Sequence, residues 1–401
     1  MWLVFSCGLF LALFALAVNH ARLWNTRVEL QNNADAAVLA AAAVLVDDDL
    51  LRGDPAFLPA LLQRSEAEAQ RFAQFNLVQA QPFSLQSNPT NHSEGDLVFG
   101  TLDVPRSRQL VLGEDVQNPA NASLASINAV RVRAALSRER GTAPGLFFGQ
   151  FVGRGSVDVR AEAAVMLDRD VIGFRPRGDK PLPLAPLGLF SDPSGSDPRS
   201  WQNQVEMKNG ADDFRYDRVN RVFVAGAGDG LYEMHAVLAL DASQTAQGNV
   251  SLLYLGVSDA AGISQQLISG VASEQLENMG GNLVLRRADN RLPVPGANQG
   301  PPPSTAEAAQ LFRSLDQVRA LAEPRLWPLY CGLDSNNQPI LCGFVAARVV
   351  TVTPLAPHQP LSFVLQPTMV STANAVTDAG QRGIGGIAIT NPYICKIRLV
   401  E

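Results

Sequence analysis

Asp241-Ala242-Ser243-Gln244-Thr245 follows the apolar run HAVLAL. A strand ending in DxSxT opens a metal-ion-dependent adhesion site, where carboxylate and hydroxyl oxygens hold a hard cation such as Mg²⁺. That geometry needs a helix directly after the loop. Here Ala246-Gln247-Gly248-Asn249 leads at once into VSLLYLG, the spacing of a hairpin turn. The sequence therefore predicts no cation at Asp241, Ser243 and Thr245. The four histidines, His20, His92, His235 and His358, are scattered, and none lies in an HExxH or HxxxH pattern. His235 reads as a half-buried strand residue. No GxSxG elbow or Walker loop occurs, and the GAGDG run at 226–230 reads as a turn because no helix follows it. Asp47-Asp48-Asp49 reads as a solvated helix end. Asn91, Asn121 and Asn249 head glycosylation sequons, which carry no weight without glycosylation machinery. No catalytic, cofactor-binding or metal-binding residue is assigned, and the chain is expected not to be an enzyme.

Cys331 and Cys342 flank LYCGLDSNNQPILCGF, in which DSNNQP is a turn between two apolar runs. A hairpin there sets the two sulfurs across from each other, either as a disulfide in an oxidising compartment or as a pair of buried thiols. Cys395, in the final apolar run, is then a free thiol, and Cys7 lies in the first apolar segment.

The elements that must carry these residues are mostly strands. PAFLPALLQRSEAEAQRFAQFN reads as an amphipathic helix with Leu58, Leu61, Leu62, Ala69, Phe72 and Phe75 on one face. Strand patterns follow in DLVFGTLDV, RQLVLG, INAVRVRAAL and VDVRAEAAVML. In the third, Val130 and Val132 alternate with Arg131 and Arg133. The Pro/Gly-rich run 173–200 reads as an extended crossing segment. A second strand-rich block is broken by a helix near ISQQLISGVASEQLENM. Ala309, Phe312, Leu315, Val318 and Leu321 mark a last helix before a final β block. The expected domains are 1–18, 19–46, 47–172, 173–288, a linker at 289–306, and 307–401.

At 401 residues the chain can hold two or three domains, and a net charge of −6 argues against nucleic acid. The first eighteen residues carry no charge and, as a helix, reach roughly 27 Å, close to the hydrocarbon core of a bilayer. Trp24 follows at interfacial depth. Ala15-Leu16-Ala17 also fits a signal-peptidase site, but there is no basic n-region, no proline occurs before Pro55, and Gly8 is the only glycine before Gly53. A retained anchor is expected. The fold class is α+β: a transmembrane helix continuing into a long Ala-rich helix, then a β-rich body with a few helices. Arg22 and Arg27 follow the span, which by charge alone places the body in the cytoplasm.

Along the Ala-rich helix, Leu30, Ala34, Ala37, Ala41 and Val44 form one stripe of mostly small side chains, suited to close packing. Arg27, Gln31 and Asp35 form a polar line beside it. The stripe serves either the protein's own β-domain or another molecule. The run RVELQNNADAAVLAAA closely resembles the N-terminal signature of TadG-like proteins of the tight-adherence (Flp) pilus system, with Gln31, Asp35, Ala36, Ala37, Leu39, Ala40 and Ala42 at its characteristic positions. The resemblance continues more weakly to about residue 172. Relative to the family, no basic leader precedes the span in this sequence, as expected if the true start lies upstream, and no prepilin-peptidase site is present. The resemblance implies a single-pass inner-membrane protein with residues 46–401 outside the cytoplasm. It would be a structural or assembly component whose partners are other pilus-assembly or pilin-like membrane proteins. The alternatives are a membrane-tethered module for a cell-wall or extracellular ligand, and a secreted hydrolase with a scattered active site.

Overall fold

The computed structural model describes residues 2–102, 127–147, 149, 155–178, 180–240, 244, 247–286, 289–296, 304–356, 359–378 and 390–400. The chain forms two units. One comprises 1–45, 53–167 and 397–401, the other 46–52 and 168–396. The expected cation loop, with Asp241, Ser243 and Thr245, lies outside the described residues, as do His358 and Asn121.

In the first unit α1 (Trp2–Val44) is one uninterrupted helix. α2 (Leu58–Phe75) packs along it. Pro59 sits in the first turn of α2, where a missing N–H breaks no helical bond. The buried face of α2 differs from the expected one. Leu58, Leu61 and Ala69 are buried as foreseen, but Ser65 and Ala73 complete the face, while Phe75 is 69% exposed beneath the Arg71 guanidinium. The reason lies in α1, which presents alanines. Small side chains on both helices let the backbones approach, closely enough for Ser65 Oγ to donate to the Ala41 carbonyl at 2.8 Å. β1 (Leu97–Gly100), β2 (Ala129–Leu136) and β3 (Val159–Asp168) make an antiparallel meander, with Phe99 opposite Val130 and Val132 opposite Ala163. Val130, Val132 and Ala134 are fully buried, while Arg131 and Arg133 turn to the rim and share the Ser93 carbonyl. The alternation read from NAVRVRAAL is therefore the observed one.

The second unit is built round a ring of strands. In chain order it contains β4 (Val171–Phe174), β5 (Leu187–Phe190), β6 (Phe214–Asp217), β7 (Val222–Ala225), β8 (Met234–Leu238), β9 (Val250–Leu252), α3 (Ala260–Ser269), β10 (Leu283–Val284), β11 (Leu292–Pro293) and α4 (Thr305–Leu321). Then come β12 (Arg325–Leu333), β13 (Pro339–Val352), β14 (Leu361–Pro367), β15 (Val370–Ser371), β16 (Ala375–Thr377) and β17 (Ile394–Val400), whose last residues belong to the first unit. The order β13-β12-β5-β9-β8-β14 closes on itself, because the long β13 pairs with β12 up to Ala347 and with β14 from Ala347 onward. Closure leaves these strands no open edge along the ring. Trp327 stacks on Phe363 at 5.9 Å, and both are fully buried.

Two sequence expectations change here. β8 and β9 pair in parallel, Leu238 opposite Val250, which a hairpin turn cannot produce. The segment 173–200 is more than a crossing: Leu182, Leu184, Leu187 and Leu189 are core residues, and β5 lies between β9 and β12. α4 begins with a capping box. Glu307 Oε2 accepts from the Ser304 N–H at 2.7 Å, and Ser304 Oγ accepts in return from the Glu307 N–H. Its buried face is Ala308, Leu311, Ser314, Leu315 and Val318, which leaves Leu321 exposed. α3 ends at Gly270, at φ +89°, where a Cβ would collide with the Leu182 carbonyl oxygen.

Candidate functional site on the first helix

α1 has two surfaces of opposite character. From Trp2 to Leu16 its large apolar side chains point outward: Trp2, Leu3, Leu9, Phe10, Leu11, Leu13, Phe14 and Leu16 are all more than half exposed. They cover most of the helix circumference, whereas Ala15, between them, is buried. From Leu30 onward the helix is packed. Leu30, Ala34, Ala37 and Ala41 have no exposed surface, and Val44 is partly buried. The stripe meets α2 and β2 of its own unit, so of the two roles left open by the sequence it fills the internal one.

The polar line divides. Gln31 Nε2 donates to Asp35 Oδ1 at 2.9 Å and to the Glu162 carbonyl of β3 at 3.0 Å, so these two signature residues fasten the helix to the sheet. Arg27 stays exposed. Asn33, which the sequence reading passes over, is fully buried. Its Nδ2 donates to the carbonyls of Ala73 at 2.7 Å and Asn76 at 2.6 Å. Carbonyls at a helix end lack helical partners, and here a neighbouring helix supplies the donor. A lone amide within an alanine stripe was the available signal. Nearer the apolar segment, Asn19 Nδ2 donates to the Phe147 carbonyl at 2.9 Å while its Oδ1 accepts from the Phe147 N–H at 2.8 Å. Arg22 Nη1 reaches the Gly145 carbonyl at 3.3 Å.

The other candidate groups resolve into structural roles. Asp47 and Asp48 are buried, which corrects the reading of a solvated helix end. Arg218 binds Asp47 with two bonds of 2.6 Å. Asp48 accepts from Arg348, Thr368 Oγ1 and the Met369 N–H, each at 2.7 Å. The side-chain bond to Asp47 raises the Arg218 pKa further above its ordinary range. The GAGDG turn gives the Asp229 and Gly230 N–H groups to the Asp212 carboxylate. Glu233 is buried and accepts from the Asp213 and Phe214 N–H groups, and burial pushes its pKa up to about 7. His20, His92 and His235 are exposed, so His235 is not the half-buried residue expected.

The spacing DxSxS recurs after β5 at Asp192-Pro193-Ser194-Gly195-Ser196, which the sequence reading does not single out. There both serine hydroxyls donate to the Asp192 carboxylate, at 2.7 and 2.9 Å, and hold its pKa well below the usual range. The loop satisfies itself. Among the described residues no group of three or more His, Cys, Asp or Glu side chains could hold a metal ion.

The expected hairpin forms: β12 and β13 are antiparallel, joined by a turn in which Asp334 accepts from the Asn336 and Gln338 N–H groups. Cys331 and Cys342 are both partly buried free thiols, with Cys331 Sγ donating to the Ile340 carbonyl at 3.7 Å, and Cys395 is buried. The strand register shifts beside Cys342. Interaction between the two thiols lowers the Cys331 pKa and raises that of Cys342.

Residues 1–44, which contain the whole of α1, match the Tad family model, described as "Putative Flp pilus-assembly TadE/G-like". This is the segment that carries the resemblance in the sequence. No curated protein and no solved structure matches the chain.

Proposed function

We propose that the protein is a non-catalytic, membrane-anchored component of a tight-adherence pilus or a related surface apparatus. Its β-rich residues lie outside the cytoplasm, and its partners are other pilus-assembly or pilin-like membrane proteins. The observation that carries this reading is the change in α1 along its length, within a segment matching a pilus-assembly family. A broad apolar surface, exposed at Trp2, Leu3, Leu9, Phe10, Leu11, Leu13, Phe14 and Leu16, gives way to a stripe packed within the protein's own unit. Among the described residues no helix is long and apolar enough to cross a membrane. Support for the anchor is therefore the uncharged sequence of the first eighteen residues together with the outward-facing side chains from Trp2 to Leu16. In this reading α1 anchors and projects the body.

The test is fractionation combined with a reporter. The full chain should require detergent for extraction and keep its N-terminus. Removal of residues 2–18 should release it, and a periplasm-active reporter fused after residue 60 should be active. A mature N-terminus at Val18 or later, or reporter activity confined to the cytoplasm, would overturn the reading.

A second reading, a tethered module for an uncharged extracellular ligand, has one observation in its favour. A cavity of about 520 Å³ is lined by Tyr254, Ser258, Asn278, Met279, Asn282 and Leu292, among others, with no charged side chain. Binding of soluble cell-wall fragments, abolished by Tyr254→Ala, would support it.

A further inference from the structure

We propose that the turn Gly145–Phe147, fastened to α1 at Asn19 and Arg22, is a collar that sits in the lipid headgroup layer and fixes how deep the anchor goes. This rests on the membrane-anchor reading. The bonds between Asn19 and Phe147 use the amide side chain as a strand uses its backbone: one donor and one acceptor meet the Phe147 N–H and C=O. They hold the backbone of Phe147 and leave its ring outward, 52% exposed. Arg22 adds a bond to Gly145 and places its guanidinium 5.6 Å from the centre of that ring. In water the ring gains only its contact with Arg22, whereas a headgroup layer would also take its exposed apolar surface out of water.

The height is right for an interface. At about 1.5 Å per residue, Asn19 lies roughly 4.5 Å beyond Leu16, the last exposed large apolar residue of the run. The interfacial layer is about 5–7 Å thick on each side of the hydrocarbon core. Trp24, 64% exposed, is farther along, but a long helical side chain leans toward the N-terminus and so back toward the membrane. It lies roughly 140° round the helix from Asn19, so the two aromatic groups flank the helix rather than share a side. The charge also fits. No acidic residue occurs before Glu29, while Arg22 and Arg27 are both exposed, a pattern suited to anionic headgroups.

The test uses tryptophan as a depth probe in the full-length chain. Trp201 and Trp327 are fully buried and do not meet lipid, so Trp2→Phe with Trp24→Phe gives a silent background. Into it go Phe147→Trp, or Phe10→Trp as the reporter of the anchor. Both are reconstituted in phosphatidylcholine–phosphatidylglycerol vesicles brominated either just below the glycerol or near the bilayer centre. Near-ultraviolet circular dichroism of the buried tryptophans confirms folding. The probe at 147 should be quenched about twofold more by shallow than by deep bromines, and adding Asn19→Ala should erase the preference. The probe at position 10 should favour deep bromines. An unquenched probe at 147 beside a quenched probe at 10 would overturn the collar and leave the anchor standing, with the loop facing water or a protein partner. Two unquenched probes would overturn both.

Discussion

Asp48 and Arg348, 300 residues apart in the chain, form a buried ion pair in which Arg348 Nη1 donates to Asp48 Oδ2 at 2.7 Å. The other oxygen of Asp48 accepts from Thr368 and the Met369 N–H, and the Arg348 guanidinium lies 4.2 Å from the centre of the Tyr216 ring. The short acidic segment after α1 is therefore held in the core of the second unit, on the strands that close the ring. Removing one partner of such a pair strands the other charge, at a cost of about 3–5 kcal/mol. Asp48→Ala is expected to lower the stability of the second unit by that order, read by denaturant unfolding with Trp201 and Trp327 fluorescence. Asp49→Ala should cost less, because Asp49 is only partly buried and its contacts with Arg52 and Arg218 are longer, at 3.3 and 3.4 Å. Equal losses would mean that the buried pair contributes nothing special.

Ala37 has no exposed surface on the face that α1 turns to its own unit. Ala37→Leu adds volume at a fully buried position and should cost about 1–3 kcal/mol. Faster amide exchange across α2 would report it, and unchanged exchange would mean that the stripe has slack.

Asn33→Ala leaves the Ala73 and Asn76 carbonyls without their side-chain donor, a loss of about 1–3 kcal/mol. Exchange should accelerate first in the last turn of α2. Asn33→Asp should be at least as harmful, since it sets a carboxylate against two carbonyls.

Cys331, with its pKa lowered by the neighbouring Cys342, should be alkylated before Cys342 at neutral pH, and Cys342→Ala should slow that reaction by removing this neighbour. If the body is exported, mild oxidation should join the two, with Cys395 left free, as peptide mapping would show. A disulfide through Cys395 instead would contradict the structure, in which that thiol is buried.

Glu233 makes the second unit sensitive to pH. Burial raises its pKa from the ordinary 4.5 to about 7, so the folded state holds the proton more tightly than the unfolded chain. Its contribution is fully present below pH 4.5 and is lost as pH rises toward 7, up to about 3 kcal/mol in all. Relative to Glu233→Gln, the wild type should lose stability between pH 5 and pH 8 in urea unfolding. A difference that grows in favour of the wild type at pH 8 would show that the Asp213 and Phe214 N–H groups outweigh burial.

The sequence by itself determined what is local. The uncharged segment, the unbroken helix after it, the alternation in β2, the DSNNQP hairpin and the helix α4 follow from propensity, periodicity and turn chemistry acting over a few residues. The match of residues 1–44 to a pilus-assembly family was legible for the same reason, since its signature is one continuous run. Tertiary structure decided whatever joins distant residues. That alanines on α1 select Ser65 and Ala73 over Phe75 on α2 depends on how closely two helices approach. That β8 and β9 run parallel and that β5 enters the ring from a proline-rich stretch depend on the neighbouring strands of the sheet, and that Asp48 finds Arg348 joins residues 300 apart in the chain. Burial likewise turned Asp47 and Asp48 from a solvated helix end into a point of attachment in the second unit. A carboxylate is hydrophilic in any sequence, and only the arginines folded around it determine whether it leaves water.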